Sequence, residues 1–246
     1  MSRVQAASRA GGAGDGPAGW AGDGAAGGAG DGAGPMIAVV DYGIGNLRSA
    51  EKALQSQGGR ATLVSEPDVV ATAGAVVLPG VGAFGRCAEA LQSTGLADAV
   101  LEALRRQVPF LGICVGMQLL YEGSEESPGV AGLGVLPGAV RRLPAGVKHP
   151  QMQWNRLVVT DTSCPLLAGP LLSGPAEPWV YFVHSYAADI GEHTVASCDY
   201  GGPITAMLGR GHLWATQFHP EKSGPVGLAV LANFVARVAG VAGAAA

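Results

Sequence analysis

A chain of 246 residues with a formal net charge of −4, 48% hydrophobic and only 14% charged residues is long enough for one substantial core and carries no electrostatic footprint of a nucleic-acid binder. Four cysteines, separated by 27, 50 and 34 residues, give neither a CxxC pair nor a dense disulfide framework, which points to the reducing cytoplasm with thiols free for core or catalytic use. The N-terminus lacks the basic-then-apolar order of a signal peptide, and the longest apolar stretch is interrupted by Asn233 and Arg237, so neither export nor a membrane span is expected.

Residues 1–35 contain 12 Gly and 10 Ala, a composition that buries too little side chain to offset its ordering entropy. They are expected to be a disordered extension, ahead of a folded domain over 36–246. Gly14-Asp15-Gly16, Gly22-Asp23-Gly24 and Gly30-Asp31-Gly32 recur every eight residues. A calcium-binding solenoid needs a nine-residue repeat with a hydrophobic staple, so no metal site is assigned to them.

From Met36 onward, short apolar runs alternate with amphipathic ones. Ile37–Val40, Ala61–Val64 and Ala75–Leu78 are strand-like, and Leu47, Ala50 and Leu54 stand at helical spacing. Leu91, Leu96, Val100, Leu101 and Leu104 suggest helix before the strand Phe110–Ile113, and Val115–Tyr121 reads as a further helix. Strands apolar on both faces in β-α-β order predict an α/β fold with an open, mostly parallel sheet flanked by helices. Leu157–Thr160, Val180–Val183, Ile204–Leu208 and Leu213–Phe218, separated by Gly/Pro loops, predict an antiparallel patch, closed by an amphipathic helix carrying Leu228, Leu231, Phe234, Val235 and Val238.

The sharpest local motif is Gly112-Ile113-Cys114-Val115-Gly116, between a strand and a helix. This is the layout of a nucleophile elbow, in which a tight turn pushes one side chain clear of the sheet and flanking glycines remove Cβ atoms that would clash. A cysteine at a helix N-terminus is biased toward thiolate, and the adjacent amides, beginning with that of Val115, can hold an oxyanion. A buried core cysteine beside a glycine-rich turn is the competing reading. The other three cysteines lack this context and are taken as structural.

A thiolate nucleophile needs a base. His219-Pro220-Glu221 follows the strand-like Leu213–Phe218, and a carboxylate near the imidazole would fix its tautomer and stabilise the imidazolium. His184 is expected to be packed or loop-shaping, and His149, His193 and His212, without metal-ligand spacing, are expected at the surface. Pro79-Gly80-Val81-Gly82-Ala83-Phe84-Gly85 could supply the second oxyanion donor, and without G-K-[ST] it is not a P-loop.

Together, Asp41-Tyr42-Gly43-Ile44-Gly45-Asn46, the segment Pro79 to Gly85, Leu111 to Leu120, Tyr181 to Tyr186 and Gln217 to Gly224 resemble the glutamine amidotransferase subunits of imidazole glycerol phosphate synthase, members of the class I triad amidotransferases. The resemblance implies a flavodoxin-like amidotransferase fold and, in histidine biosynthesis, hydrolysis of L-glutamine to glutamate and ammonia. The ammonia passes to a (β/α)8 cyclase subunit in a heterodimer, which forms imidazole glycerol phosphate and aminoimidazole carboxamide ribonucleotide. It further implies Cys114 as nucleophile, His219 as acid and base, and Glu221 as its orienting partner, with no metal and no organic cofactor. Val81, Gly82 and Val115 would form the oxyanion site. Gly82, Gln118, Ser185 and Tyr186 would hold glutamine, and Asn46, Trp154, Asn155, Tyr181 and Lys222 would face the partner. The family's oxyanion loop is poorly formed until the loaded partner binds, which implies slow turnover by this chain alone.

The sequence departs from the family pattern at Pro150-Gln151-Met152-Gln153-Trp154-Asn155, where the family commonly has P-H-M-G-W-N. A side chain at the glycine position is expected to restrict a partner-facing loop at Gln153. The alternatives are a sibling triad amidotransferase, a free-standing cysteine amidohydrolase and a non-catalytic scaffold, and activity with and without a cyclase separates them.

Overall fold

The computed structural model describes residues 34–174 and 177–244. The extension read over residues 1–35 therefore lies almost wholly outside the described residues. In chain order the elements are β1 (Ile37–Val40), α1 (Leu47–Ser56), β2 (Ala61–Val64), α2 (Pro67–Thr72), β3 (Ala75–Gly80), α3 (Phe84–Ser93), α4 (Leu96–Arg105), β4 (Phe110–Cys114) and α5 (Val115–Gln118). The second half contributes β5 (Tyr121–Ser124), β6 (Leu136–Arg142), β7 (Gln151–Arg156), β8 (Val158–Val159), α6 (Pro170–Ser173), β9 (Trp179–His184), β10 (Tyr186–Ala187), β11 (Thr194–Asp199), β12 (Pro203–Arg210), β13 (Leu213–Thr216) and α7 (Gly224–Ala244).

Eight strands form one sheet in the order β2-β1-β3-β4-β13-β12-β11-β8. From β2 to β13 neighbouring strands are parallel, and from β13 to β8 they are antiparallel. The expected open α/β sheet with an antiparallel patch is what forms. Its parallel strands read as apolar runs because both faces are covered: every residue of β1, β3, β4 and β13 is buried. Helices α1, α3 and α4 each turn an apolar stripe inward, exemplified by Leu47, Ala50 and Leu54 on α1.

Several sequence expectations change in detail. The helical pattern around Leu91 to Leu104 is two helices, separated at Gly95, whose left-handed φ of 74° a side chain would resist. The helix expected over Val115–Tyr121 stops at Gln118, because Tyr121 pairs with Leu136 in a three-stranded sheet ordered β10-β6-β5. The strand candidate Leu157–Thr160 shrinks to Val158–Val159 and Leu213–Phe218 ends at Thr216.

Helix α7 contains an 18-residue window, Gly224–Val241, of mean hydropathy 1.5, which matches a membrane span in length and composition despite Asn233 and Arg237. Here it packs on the domain. Val230, Leu231, Phe234 and Val238 are buried, the Phe234 ring meets Trp214 edge-on at 6.4 Å, and Asn233 Nδ2 donates to the carbonyls of Leu166 and Ala168.

Candidate functional site

Ligand sites of doubly wound sheets lie beyond the C-terminal ends of the strands, at the point where strand order reverses. In this chain β1, β3, β4 and β13 all deliver a motif to that edge. A cavity of about 470 Å³ opens there, lined by Asn46 after β1, Val81 and Gly82 after β3, Cys114, Val115 and Gln118 around the end of β4, and His219 after β13. Its far wall is Pro150, Val183, His184, Ser185 and Tyr186, with Glu126 and Lys222 also facing it.

Cys114 is the last residue of β4 and stands at φ 55°, ψ −110°, a left-handed backbone that few side chains other than Gly adopt. It is 3% exposed. The glycines around it are steric requirements. A Cβ on Gly116 would lie 1.8 Å from the Leu78 carbonyl oxygen, and one on Gly80 would lie 2.8 Å from both Gly116 N and the Tyr42 hydroxyl. Tyr42, from the first motif, is buried and its hydroxyl donates to the Pro79 carbonyl at 2.7 Å, pinning the start of the Gly80-Val81-Gly82 turn. Burial, together with the nearby Cys87 thiol, pushes the Tyr42 hydroxyl pKa well up, so it stays a donor. Gly82 has φ 88°, and the Val81 carbonyl accepts from Cys87 Sγ at 3.3 Å.

His219 and Glu221 meet as their spacing suggested. His219 Nδ1 is 2.8 Å from Glu221 Oε1, and the two side chains are 3% and 4% exposed. Burial by itself lowers the imidazole pKa, but interaction with Cys114 and with the Glu221 carboxylate outweighs it and raises the value to about 10. The remaining ring nitrogen, Nε2, is buried without a partner among the described residues. The loop carrying this pair is stitched to β9: His219 N donates to the Tyr181 carbonyl at 3.1 Å, Ser223 Oγ donates to the His219 carbonyl at 2.6 Å, and Tyr181 N donates to Ser223 Oγ at 3.0 Å.

His184 is the packed histidine expected of it. Its Nδ1 donates to the Tyr186 carbonyl at 2.9 Å, its ring lies 5.6 Å from that of Phe182, and burial lowers its pKa to about 4, so it is neutral. The surface positions expected for His149, His193 and His212 are corrected to half-buried ones, His149 donating from Nε2 to the Pro144 carbonyl. All four cysteines are free thiols in buried positions.

Of the residues assigned to the partner face, Asn46 and Lys222 line the cavity and are exposed, and Lys222 makes no salt bridge among the described residues. Trp154, Asn155 and Tyr181 lie outside it, on the two-stranded ribbon β7–β9, where Trp154 pairs with Tyr181. Trp154 is 48% exposed and meets the Tyr181 ring edge-on at 6.2 Å, whereas Asn155 is tied back to the Asp199 carbonyl at 2.9 Å. The loop expected around Gln153 is in fact strand: Gln153 pairs with Phe182 and its side chain is exposed. No left-handed φ occurs there, so the side chain meets no backbone restriction.

Two residues at the site were given no role from sequence. Glu126, on the cavity wall, accepts the Phe84 amide at 2.7 Å from a polar loop without periodicity, and Gln217, fully buried and outside the cavity lining, places Nε2 3.7 Å from Cys114 Sγ. Only the spatial convergence of strand ends reveals either.

The chain matches the family model for glutamine amidotransferase class-I over residues 38–238. It is 50% identical over 206 residues to the imidazole glycerol phosphate synthase subunit HisH of Deinococcus radiodurans, covering 82% of this chain and 94% of that protein. The subunit HisH of Methanothermobacter thermautotrophicus is 47% identical over 201 residues, covering 81% and 98%. Among solved structures, PurLQS from Thermotoga maritima superposes with a TM-score of 0.66 at 21% identity over 82% of this chain and 98% of that one, and a glutamine amidotransferase with 0.62 at 20% over 81% and 98%, likenesses of fold. The chain belongs to the class-I glutamine amidotransferases, among the glutaminase subunits of imidazole glycerol phosphate synthase.

Proposed function

We propose that residues 36–246 form a glutaminase domain that works by a Cys114, His219 and Glu221 triad and hands its ammonia to a (β/α)8 cyclase subunit. The observation that carries this reading is the buried His219–Glu221 pair at 2.8 Å in the same cavity wall as a cysteine on a left-handed strand-to-helix turn. Cys114 Sγ attacks the glutamine side-chain amide. His219 protonates the departing ammonia, leaving a glutamyl thioester, and then removes a proton from the water that hydrolyses it to glutamate. Glu221 holds the Nδ1 proton and offsets the imidazolium charge, so that Nε2 does the proton transfer.

Val81, Gly82 and Val115 supply the amides for the oxyanion, and Gly82, Gln118, Ser185 and Tyr186 hold the rest of glutamine. Glu126 adds a negative charge suited to the α-ammonium group. Ammonia released into bulk water is protonated and lost as a nucleophile, which favours an enclosed passage to the partner. Asn46, Trp154, Asn155, Tyr181 and Lys222 surround the partner-facing rim in this reading, with Lys222 as a cation at the cavity mouth that has no ion pair among the described residues. The products on the partner are imidazole glycerol phosphate and aminoimidazole carboxamide ribonucleotide, in histidine biosynthesis, and the enzyme is soluble and cytoplasmic. The triad calls for no metal or organic cofactor.

The test is glutamate release from glutamine by the chain alone and with a cyclase subunit plus its nucleotide ligand, with Cys114→Ala as the blank. Slow release alone, a large rise with the loaded cyclase and none from Cys114→Ala is expected. Equal rates with and without the cyclase would leave a free-standing amidohydrolase.

A further inference from the structure

Gln217 sits two residues before His219 and is fully buried. Its Nε2 donates toward Cys114 Sγ at 3.7 Å, within reach for a sulfur acceptor, and its Oε1 accepts from Gln118 Nε2 at 3.1 Å. Gln118 Nε2 also donates to the Tyr186 carbonyl at 2.9 Å, and that carbonyl takes a second donor, His184 Nδ1, at 2.9 Å. The orientation of both carboxamides follows from this one carbonyl. A backbone oxygen can only accept, so the Gln118 atom facing it is the NH2. The same NH2 meets Gln217, which must present its oxygen, and the NH2 of Gln217 is thereby turned to the sulfur. The assignment rests on an acceptor of fixed identity and needs no choice between look-alike amide ends.

We propose that Gln217 is a further catalytic residue: its carboxamide donates to Cys114 Sγ and favours the thiolate, and Gln118 is the positioning residue that holds the donor in that orientation. A hydrogen bond to an ionised acceptor is roughly twice as strong as one to a neutral acceptor, so the contact selects S⁻ over SH. The backbone of Gln217 is fixed independently, its N–H donating to the Ala206 carbonyl at 2.8 Å, so the amide works from a rigid base. The inference deepens the proposed function and rests on Cys114 being the nucleophile.

The experiment is alkylation of the full-length chain by iodoacetamide at neutral pH without glutamine, followed at the Cys114 peptide, because Cys87, Cys164 and Cys198 are also free thiols. Gln217→Glu keeps the shape and the acceptor for Gln118 but puts an oxygen against the sulfur. It is expected to slow Cys114 alkylation about thirtyfold, and kcat in the cyclase complex by a similar factor with KM for glutamine little changed. Gln118→Leu, which never touches the sulfur, is expected to slow alkylation severalfold by freeing the Gln217 amide. That readout, taken without glutamine, is insensitive to any role of Gln118 in holding substrate. Should Gln217→Glu fail to fold, Gln217→Met removes the donor at similar volume and serves the same comparison. Alkylation within twofold of wild type in a folded Gln217 variant would overturn the proposal, and an unchanged rate in Gln118→Leu would overturn the positioning role. Glutaminase activity retained by Cys114→Ala would instead refute the reading beneath it.

Discussion

In the parallel half of the large sheet, β1, β3, β4 and β13 bury every residue, whereas the ribbon β7–β9 leaves Met152, Trp154 and Trp179 about half in solvent. The first region satisfies itself and can therefore hold a strained turn at Cys114. The second places Met152 and Trp154 on one face of a strand, paired with Val183 and Tyr181, an apolar surface left uncovered among the described residues. The two are not independent. Tyr181 of β9 also holds the His219 loop, its backbone accepting from His219 N and donating to Ser223 Oγ, so movement of the ribbon is felt at the proposed base.

That contrast can be broken from the rigid side first. His219→Asn, assayed in protein shown to be folded by circular dichroism, should lower glutamate release by about a thousandfold or more, since the imidazole alone can carry the proton between sulfur, ammonia and water. Steady-state assay of the cyclase complex checks it, and a loss below tenfold would sink the assignment. Gly116→Ala comes next: its Cβ would overlap the Leu78 carbonyl at 1.8 Å, and a loss of about 3 kcal/mol in urea unfolding is expected.

The pH dependence sharpens the same region. His219 is raised to about 10 against an ordinary 6.5, so between these values the folded chain holds a proton that the unfolded chain releases. Its contribution is fully present below about 6.5 and is lost as pH rises through about 10. Calorimetric midpoints should fall across that window more steeply in wild type than in Glu221→Gln, and parallel curves would count against the pair.

On the ribbon side, Trp154→Ala should change the stability of the isolated chain by less than about 1 kcal/mol yet weaken cyclase binding tenfold or more, measured by titration calorimetry. The smallest effect belongs to Gln153→Gly. In a paired strand the glycine should cost only about 0.5–1 kcal/mol in thermal unfolding, where a loop requiring glycine would gain stability from it.

The same contrast explains what was legible in the sequence. Strands buried on both faces appear as apolar runs, so β1, β3, β4 and β13 stand out, and the elbow and the His219-Pro220-Glu221 turn are readable because their chemistry demands particular residues at fixed spacing. The β7 sequence, Gln-Met-Gln-Trp-Asn-Arg, buries only Gln151 fully, and β6 contains Pro137 and Gly138, so neither announces a strand. Val115 to Leu120 is buried throughout, and a segment without an exposed face gives no period from which to locate the end of α5. The roles of Glu126 and Gln217 were illegible for a different reason: they arise from contacts distant in sequence, Glu126 with Phe84 42 positions away and Gln217 with Cys114 103 positions away.

The most direct test of the central claim is to quench the cyclase complex in acid during turnover of isotopically labelled glutamine and map the label on the chain. A glutamyl adduct on the peptide containing Cys114, absent from Cys114→Ala, is the predicted result. Undiminished turnover with no label at Cys114, or label at Cys87, Cys164 or Cys198 instead, would contradict the triad.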